Sequence, residues 1–309
     1  MFYSSIVKHS LVAAAWGFII VTAHAAETSA TFNTAEIERL TGLKGTYSEE
    51  ENVFKVSQPR TDVKTQVDKW PMPPFMGLTS WAAFTASAKD GQVMMMGDTV
   101  LFEDEVNPAM SAAFEAGLEI TALHNHFFYD EPKVYFMHIG GTGSAAKLAT
   151  GVKKIYDKVA EIRAAQPVPS SGFPKTIPQE SKISAQPLEQ ILGLKGTSKD
   201  GMFKVTIGRP ATVHGVAIGK EMGINTWAAF AGTDSQAVVD GDFAMLADEM
   251  QAVLKTMRAG GMNIVALHQH MAHDNPHYFF MHYWGKGDAK ELAKTVKKAL
   301  DAQRRNNPQ

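Results

Sequence analysis

Two stretches of the chain carry most of its histidines in the same order and spacing. Ala122–His138 reads ALHNHFFYDEPKVYFMH, and Ala266–His282 reads ALHQHMAHDNPHYFFMH. Each stretch contains a His-x-His pair, an Asp, a Pro and a final His, and the interval from His124 to His268 is 144 residues. Neutral imidazole is the commonest metal ligand in proteins. A three-histidine pattern that is kept twice therefore indicates a metal-binding site.

The predicted local structure is a β-hairpin that presents all three imidazoles on one face. Side chains alternate along a strand, so His124 and His126 share a face. If the turn comprises residues 129–133, His124 lies opposite His138 and His126 lies opposite Phe136, with opposed Cβ atoms about 5 Å apart. The corresponding register is predicted for the second stretch. A slip of one residue would move the third histidine to the other face, so the prediction depends on the assumed turn.

Carboxylates that recur at matching positions are candidates for a further ligand. Asp98 and Glu105 in the first copy correspond to Asp242 and Glu249 in the second. Imidazole and carboxylate together suit zinc, copper or iron. The predicted imidazole ligands are His124, His126, His138, His268, His270 and His282.

The same residues allow three functional readings. The leading one is a binding protein for a transition metal or small ligand. An enzyme is the alternative, in which a metal with an open position activates water and Glu105 or Glu249 acts as general base. The third is a binding module for a cell-envelope ligand, which uses the histidines with Trp81 and Trp227 as a polar and aromatic surface. The structural alternative to all three is that the histidines only pack in the sheet, with their ring nitrogens bonded to backbone or carboxylates.

Other residues in the two copies are less specific. His273 and His277 in the second stretch are either additional ligands or ordinary loop residues, and the second explanation is favoured. The run Met94–Met96 could bind copper, but methionine in a strand more often fills a core. Both Trp81 and Trp227 are expected to pack in the core or to line a pocket.

Composition excludes some partners. The chain has 309 residues and a formal net charge of −2, and no basic stripe accompanies the histidines. Nucleic-acid binding is therefore not expected, because it requires Lys and Arg to neutralise phosphates. The chain contains no cysteine, so it forms no disulfide and has no thiolate ligand.

The first 25 residues are typical of a secretory signal. Lys8 supplies the positive charge, residues 11–21 form the apolar segment, and Ala23-His24-Ala25 fits a cleavage site. The apolar segment is too short to span a bilayer comfortably. We expect an exported protein, periplasmic or secreted, that is not inserted in the membrane after removal of the signal.

The duplication extends beyond the histidines. The sequence GLKGT occurs at 42–46 and at 193–197, and a Trp-Ala-Ala-Phe strand precedes a Gly-Asp pair in both copies. Each copy is predicted to form a short helix, several strands, a helix, the histidine hairpin and a final helix. That order predicts an α+β fold of two tandem repeats, each an antiparallel-rich sheet with helices packed on it, related by a pseudo-twofold. The predicted segments are a signal (1–25), a first repeat (31–163), a Pro-rich linker (164–183) and a second repeat (184–305).

These motifs together resemble the LppY/LpqO family, also known as DUF1259. The resemblance rests on Trp-Ala-Ala-Phe, Gly-Asp, a following Glu, Ala-Leu-His-Asn-His and Phe-Met-His, and it covers both repeats. It implies an exported protein and supplies no established activity. The name-giving members look like lipoproteins, whereas this chain has no cysteine to carry a lipid. The residues that match the pattern are Trp81, Asp98, Glu105, His124, His126 and His138, and Trp227, Asp242, Glu249, His268, His270 and His282.

Overall fold

The computed structural model describes residues 32–89, 91–173 and 176–306, so the predicted signal segment lies outside the described residues. Both repeats fold with the same order of elements. The first repeat comprises α1 (Thr34–Thr41), β1 (Gly45–Ser48), β2 (Val53–Pro59), β3 (Gln66–Val67), β4 (Trp70–Pro71), β5 (Thr79–Ala86), β6 (Val93–Phe102), α2 (Glu103–Glu115), β7 (Glu119–His124), β8 (Asp130–Glu131), β9 (Val134–Gly143) and α3 (Ala145–Ala165). The second comprises α4 (Ala185–Leu192), β10 (Thr197–Lys199), β11 (Met202–Gly208), β12 (Ala211–Val213), β13 (Val216–Ile218), β14 (Asn225–Gly232), β15 (Ala237–Met245), α5 (Ala247–Ala259), β16 (Asn263–His268), β17 (Asp274–Asn275), β18 (Phe279–Gly287) and α6 (Ala289–Asn306).

The strands of both repeats join in one antiparallel sheet. Its order is β1-β2-β5-β6-β9-β7-β16-β18-β15-β14-β11-β10. The first six positions come from the first repeat and the last six from the second, in mirrored order. Two small sheets lie apart from it, β4-β3-β8 and β13-β12-β17, one in each repeat. The predicted α+β class, with antiparallel strands and two tandem repeats, is confirmed. The sheets that were predicted separately for each repeat join into one sheet of twelve strands.

A pseudo-twofold axis passes between β7 and β16, where the repeats meet. Leu123 pairs with Leu267, and these two residues are themselves related by the 144-residue interval. Two side-chain amides add reciprocal contacts across the junction. Asn107 of α2 bonds the backbone of Ile264, and Gln251 of α5 bonds the backbone of Ile120. Equivalent residues contact each other, as at the interface of a symmetric homodimer.

The helices cover one face of the large sheet. On that face, alternate strand residues such as Met95, Leu123 and Met137 are buried with helix residues such as Met110 and Val152 in one core. The opposite face carries the histidines, and we call it the His face. The His face is only partly covered. The covered parts are small clusters around Phe136 and Phe280, which pack beneath the two small sheets.

Two element boundaries can be assigned to particular residues. The first helix begins after Asn33, whose side-chain Oδ1 accepts the N–H of Glu36, so Asn33 is the N-cap. Strand β6 continues beyond the Gly97-Asp98 pair to Phe102 and leads directly into α2. This extension places Asp98 in the middle of a strand. Its side-chain direction is therefore fixed by strand alternation.

Candidate metal centre

The histidine hairpins adopt a register different from the predicted one. His124 pairs with Phe136, and Ala122 pairs with His138. The prediction that His124 lies opposite His138 is therefore wrong by two residues. The histidines keep a common face because side chains alternate with a period of two. The ring centroids of His124 and His138 are 5.1 Å apart, although the two residues are diagonal neighbours.

The strand ends at His124, and His126 lies beyond it in the loop. There its ring stacks on Phe136, with centroids 3.4 Å apart and planes 4° from parallel. His270 stacks on Phe280 in the same way, at 3.5 Å and 9°. Each phenylalanine thus supports the histidine that lies in the loop after the strand. The recurring Phe-Met-His sequence was the available signal for this stacking, and sequence reasoning missed it.

The other shared hairpin residues hold the turn. The Oδ2 atom of Asp130 accepts the backbone N–H of Val134 at 2.6 Å, and Asp274 accepts that of Tyr278 at 2.8 Å. Both hairpins also contain a cis peptide bond before the shared proline. The hydrogen bonds give the repeated Asp a structural role that is separate from the histidines.

In the second repeat, Asp242 and two histidines converge. The ligand atoms of Asp242, His268 and His270 all lie within 4.8 Å of one another. Nε2 of His270 is 3.1 Å from Oδ2 of Asp242, and the carboxylate is almost completely buried. Strand register adds a third ring, because Asp242 of β15 pairs directly with His282 of β18. The His282 ring lies beside that of His268, with centroids 4.7 Å apart, but outside the group that converges within 4.8 Å. Together these residues supply three imidazoles and one carboxylate.

Backbone carbonyls orient two of these rings. Nδ1 of His270 is 3.0 Å from the carbonyl oxygen of Gly223, and Nδ1 of His282 is 3.3 Å from that of Gly241. A carbonyl oxygen can only accept, so both Nδ1 atoms carry hydrogen and donate. In the neutral rings, Nε2 then has the free lone pair. Such outer contacts are the usual means of fixing the tautomer of a metal-binding histidine.

Some polar atoms of this group have no partner among the described residues. They are Oδ1 of Asp242 and Nδ1 of His268, and both are buried. Burial lowers the pKa of His268, and neighbouring histidines lower it further against the opposing effect of Asp242. The pKa of His126 is lowered for the same principal reason, burial. Neutral imidazole is the form that binds metals.

A close approach of strands explains the Gly-Asp pairs. A Cβ atom on Gly241 would lie 2.2 Å from Tyr283 and 2.5 Å from the carbonyl oxygen of Trp227. On Gly97 it would lie 2.7 Å from the carbonyl oxygen of Trp81. The residue before each aspartate must therefore be glycine for the strands to pair. The carboxylates of Asp98 and Asp242 lie on the His face, because successive side chains point to opposite faces of a strand.

The structure does not bring the two predicted glutamates to the histidines. Arg60 donates from Nη1 and Nη2 to the two carboxylate oxygens of Glu105, at 2.8 and 3.0 Å. The N–H of Phe102 donates to Glu105 at 2.9 Å, and Nε of Arg163 is 2.8 Å from it. Glu105 is fully buried, and neither oxygen is left for a metal or a water molecule.

Glu249 occupies the corresponding place in the second repeat. Arg209 donates to both of its oxygens, and the N–H of Leu246 and the amide of Gln303 each donate at 2.8 Å. Both glutamates sit at the third position of their helices and accept the N–H of the N-cap residue, as in a capping box. Their recurrence is explained by helix capping and by a buried ion pair.

The other histidines within the described residues, His214, His273 and His277, have ordinary loop contacts. Nδ1 of His277 is 2.7 Å from Oδ1 of Asp274, and its Nε2 is 2.9 Å from the amide of Gln269. The ring of His273 lies 5.4 Å from that of His214, away from the pairings above. His277 takes the place of Lys133, which is 3.1 Å from Asp130 in the first repeat.

The flanking tryptophans lie half-buried on the His face. The ammonium group of Lys204 is 4.0 Å from the ring centroid of Trp227, and that of Lys55 is 4.4 Å from Trp81. An open pocket of about 660 Å³ adjoins His282. It is lined by Phe173, Asp240, Val265, His282, Tyr283, Trp284 and Lys286.

The two histidine groups belong to one surface. Because Leu123 pairs with Leu267 in antiparallel fashion, Ala122 lies across from His268, and His124 lies across from Ala266. His124 and His268 are therefore diagonal neighbours across the junction, with Cβ atoms about 7–8 Å apart. The side chains of Asp98, His124 and His138, and of their counterparts Asp242, His268 and His282, all point to the same side of the sheet.

Comparison with known families matches this duplicated architecture. A family described as Domain of Unknown Function (DUF1259) matches residues 35–158 and again residues 186–302. The chain belongs to this family. The two matches confirm that it contains two tandem copies of the domain.

Other comparisons add no function. No curated protein gives a significant match. Among solved structures, the chain is similar to a trimeric bacterial microcompartment shell protein, PduB, with 10% identity over 84% of this chain and 90% of that one, at a TM-score of 0.19. It is also similar to the double-ringed trimeric shell protein MSM0271 from the RMM microcompartment, with 10% identity over 72% and 86% of the two chains, at a TM-score of 0.20. At these TM-scores neither likeness supports an argument.

Proposed function

We propose that this protein binds a divalent transition-metal ion through Asp242, His268, His270 and His282. One observation carries the proposal. Nδ1 of His270 must donate to the carbonyl oxygen of Gly223, which leaves the lone pair of the neutral ring on Nε2. That lone pair faces the Asp242 carboxylate at 3.1 Å. Two acceptors at this distance require a cation between or beside them.

The orphaned atoms of the same group support a metal rather than a proton. A proton on Nε2 of His270 would satisfy that one contact as an imidazolium–carboxylate pair. It would leave Oδ1 of Asp242 and Nδ1 of His268 buried without partners. Leaving a buried polar group unsatisfied costs about 1–3 kcal/mol. A metal ion coordinated by Oδ1 of Asp242 and by Nδ1 of His268 would satisfy both atoms at once.

The donor set limits the choice of ion. Three imidazoles and one carboxylate suit zinc, copper or iron, whereas calcium and magnesium prefer oxygen ligands. Zinc is the simplest probe because it has no redox chemistry. The pocket beside His282 would leave a bound ion reachable by a small ligand.

The proposal also covers the cellular location of the protein and its relation to the LppY/LpqO proteins. The segment of residues 1–25 has the pattern of a secretory signal, which supports export to the periplasm or the medium. None of the helices within the described residues is long and apolar enough to cross a membrane. The shared motifs support kinship with the LppY/LpqO proteins. Small ligands or metal ions, rather than nucleic acids, are the proposed partners.

The test is metal analysis of protein purified without a histidine tag, followed by zinc titration against a chromophoric chelator. Wild type should bind zinc stoichiometrically. Asp242→Asn and His268→Ala should each weaken binding by at least about tenfold, since loss of an outer-shell partner alone costs about 10–100-fold. His214→Asn is the matched control, because it removes an imidazole from a different loop and Asn tolerates the positive φ of that position.

Two outcomes would contradict the proposal. One is wild-type protein that neither retains metal nor binds added zinc. The other is zinc affinity that Asp242→Asn and His268→Ala change no more than the control does.

A further inference from the structure

The first repeat carries exposed methionines on the His face. Along β6, Met95 is fully buried in the core, whereas Met94 and Met96 are 42% and 56% exposed. The expectation that this run fills the core therefore holds for Met95 alone. The chain has no cysteine. Methionine thioethers are thus its only soft sulfur donors.

Strand register places Met96 beside the histidines. Asp98 pairs with His138 and Met96 pairs with Gly140, so all of these positions except the glycine present side chains on the His face. Met96 and His138 are diagonal neighbours, with Cβ atoms about 7–8 Å apart. Gly140 has no side chain to separate them. Methionine has three rotatable bonds, which allow its sulfur to reach an ion beside His138.

The second repeat differs at this point. Asp240 stands where the first repeat has Met96, and Trp284 stands where it has Gly140. The histidines of the repeated pattern are the same in both repeats, and Asp98 pairs with His138 as Asp242 pairs with His282. The two sites therefore share three imidazoles and one carboxylate, and they differ in the adjacent group, the Met96 thioether in the first and a second carboxylate, Asp240, in the second.

The rings of the three histidines in the first repeat lie close together. The ring of His124 is 5.1 Å from those of both His126 and His138. His126 is stacked on Phe136. His124 and His138 are thus the two strand-borne rings nearest Met96.

We propose that the first repeat binds copper(I) through the Sδ of Met96 and the imidazoles of His124 and His138. Soft thioether ligands select Cu(I), whereas carboxylates favour harder ions. Met94 lies one step further along the same strand face, opposite Thr142, and provides a second thioether on the approach to the site. The inference shares the His face with the proposed function but involves a different ion, repeat and donor.

The experiment is an anaerobic titration of the full chain with Cu(I) in competition with a Cu(I)-specific chelator. Met96→Leu should weaken Cu(I) binding by at least about tenfold, as should His138→Ala, and Met94→Leu should have a smaller effect. Leucine conserves volume, so the fold should be retained, and circular dichroism checks this. Met202→Leu is the matched control, because Met202 is 41% exposed in the second repeat.

X-ray absorption at the copper edge gives a second measurement. A sulfur neighbour should be present in wild type and absent in Met96→Leu. The proposal is overturned if wild type does not bind Cu(I), or if Met96→Leu binds it within about twofold of the Met202→Leu control while keeping the sulfur signal.

Zinc titration separates this proposal from the proposed function. Met96→Leu should leave zinc affinity unchanged, and Asp242→Asn should leave Cu(I) affinity unchanged. Loss of zinc binding by Asp242→Asn with no effect of Met96→Leu on Cu(I) would refute only the copper site. Copper binding that depends on Met96, without any zinc binding, would refute only the function proposed for the second repeat.

Discussion

Replacing Asn107 by alanine should destabilise the whole chain through the junction of the repeats. The amide of Asn107 spans from helix α2 to strand β16. Its Oδ1 accepts the N–H of Ile264 at 2.8 Å, and its Nδ2 donates to the carbonyl oxygen of Ile264 at 3.2 Å. Ile264 lies at the irregularity where the register of β16 against β18 shifts. Asn107 therefore satisfies both backbone groups of a strand residue in the other repeat.

The cost follows from burial. Asn107 is 8% exposed and Ile264 is 1% exposed, so water cannot easily replace the lost amide. Each buried polar group left unsatisfied costs about 1–3 kcal/mol. Asn107→Ala should thus lower the free energy of unfolding by about 2–6 kcal/mol, the sum for two such groups. Gln251 makes the equivalent contact with Ile120 in a less buried setting, so Gln251→Ala should cost less.

Urea denaturation followed by circular dichroism measures this directly. Both variants should show a lower midpoint at unchanged slope, which is the sign of lost stability without a change in compactness. Asn225→Ala is the control, because its amide makes one exposed hydrogen bond, to the carbonyl oxygen of Lys220. That loss should cost no more than about 1.5 kcal/mol.

The result that refutes the reasoning is a loss for Asn107→Ala no larger than that of the control. It would mean that the backbone of Ile264 finds other partners and that the repeats do not depend on this amide. A second transition in wild type would also contradict it, because a shared sheet with reciprocal bonds should unfold as one unit.

Two further predictions concern the surroundings of the metal centre. Burial tends to raise the pKa of Glu249, but hydrogen bonds from Arg209 and the Leu246 N–H outweigh it and lower that pKa below its ordinary value. The stability contributed by this carboxylate is therefore present above the unfolded pKa of about 4.3 and is lost as the pH falls through the lower folded value. Glu249→Gln should cost about 3–5 kcal/mol at neutral pH, by leaving Arg209 unpaired, and should flatten the acid side of a stability–pH profile; an unchanged profile would contradict this. Gly241→Ala should lower both thermal stability and zinc affinity, since the added Cβ would overlap Tyr283. Calorimetry measures the first and zinc titration the second, and an unchanged value in either measurement would contradict the prediction.

Strand alternation was enough to predict that the histidines share a face, but not their register. A shift of two residues leaves the hydrophobic pattern unchanged, so no pattern in the sequence distinguishes His124 opposite His138 from His124 opposite Phe136. The shift arises because β7 ends at His124 and residues 130–131 pair with β3 instead of continuing the hairpin. Such a pairing depends on a strand more than sixty positions away in sequence.

The role of the glutamates was hidden for a similar reason. Acidic residues near the start of a helix are favourable because they complement the helix dipole. The partner of Glu105 is Arg60, 45 residues earlier. No local pattern reveals that pairing, so a recurring Glu near recurring histidines was indistinguishable from a ligand. The methionine run was ambiguous in the same way. Alternation places Met94 and Met96 on the His face only if β6 continues without interruption through Asp98, which the structure shows.

The two proposed sites lie on one chain, so their donors can differ. The distance between them favours ions of different charge. In a homodimer of identical repeats, both sites would have the same donors. Here Met96 and Asp240 distinguish them. The proposed centres lie above β9 and β18, three strand spacings apart in the sheet order, which is about 14 Å. Two divalent ions at that distance would repel by about 1.2 kcal/mol even in bulk water, and replacing one by a monovalent ion would halve this. Binding Cu(I) at the site that contains Met96 and a divalent ion at the site of Asp242 would therefore lower the electrostatic cost of filling both.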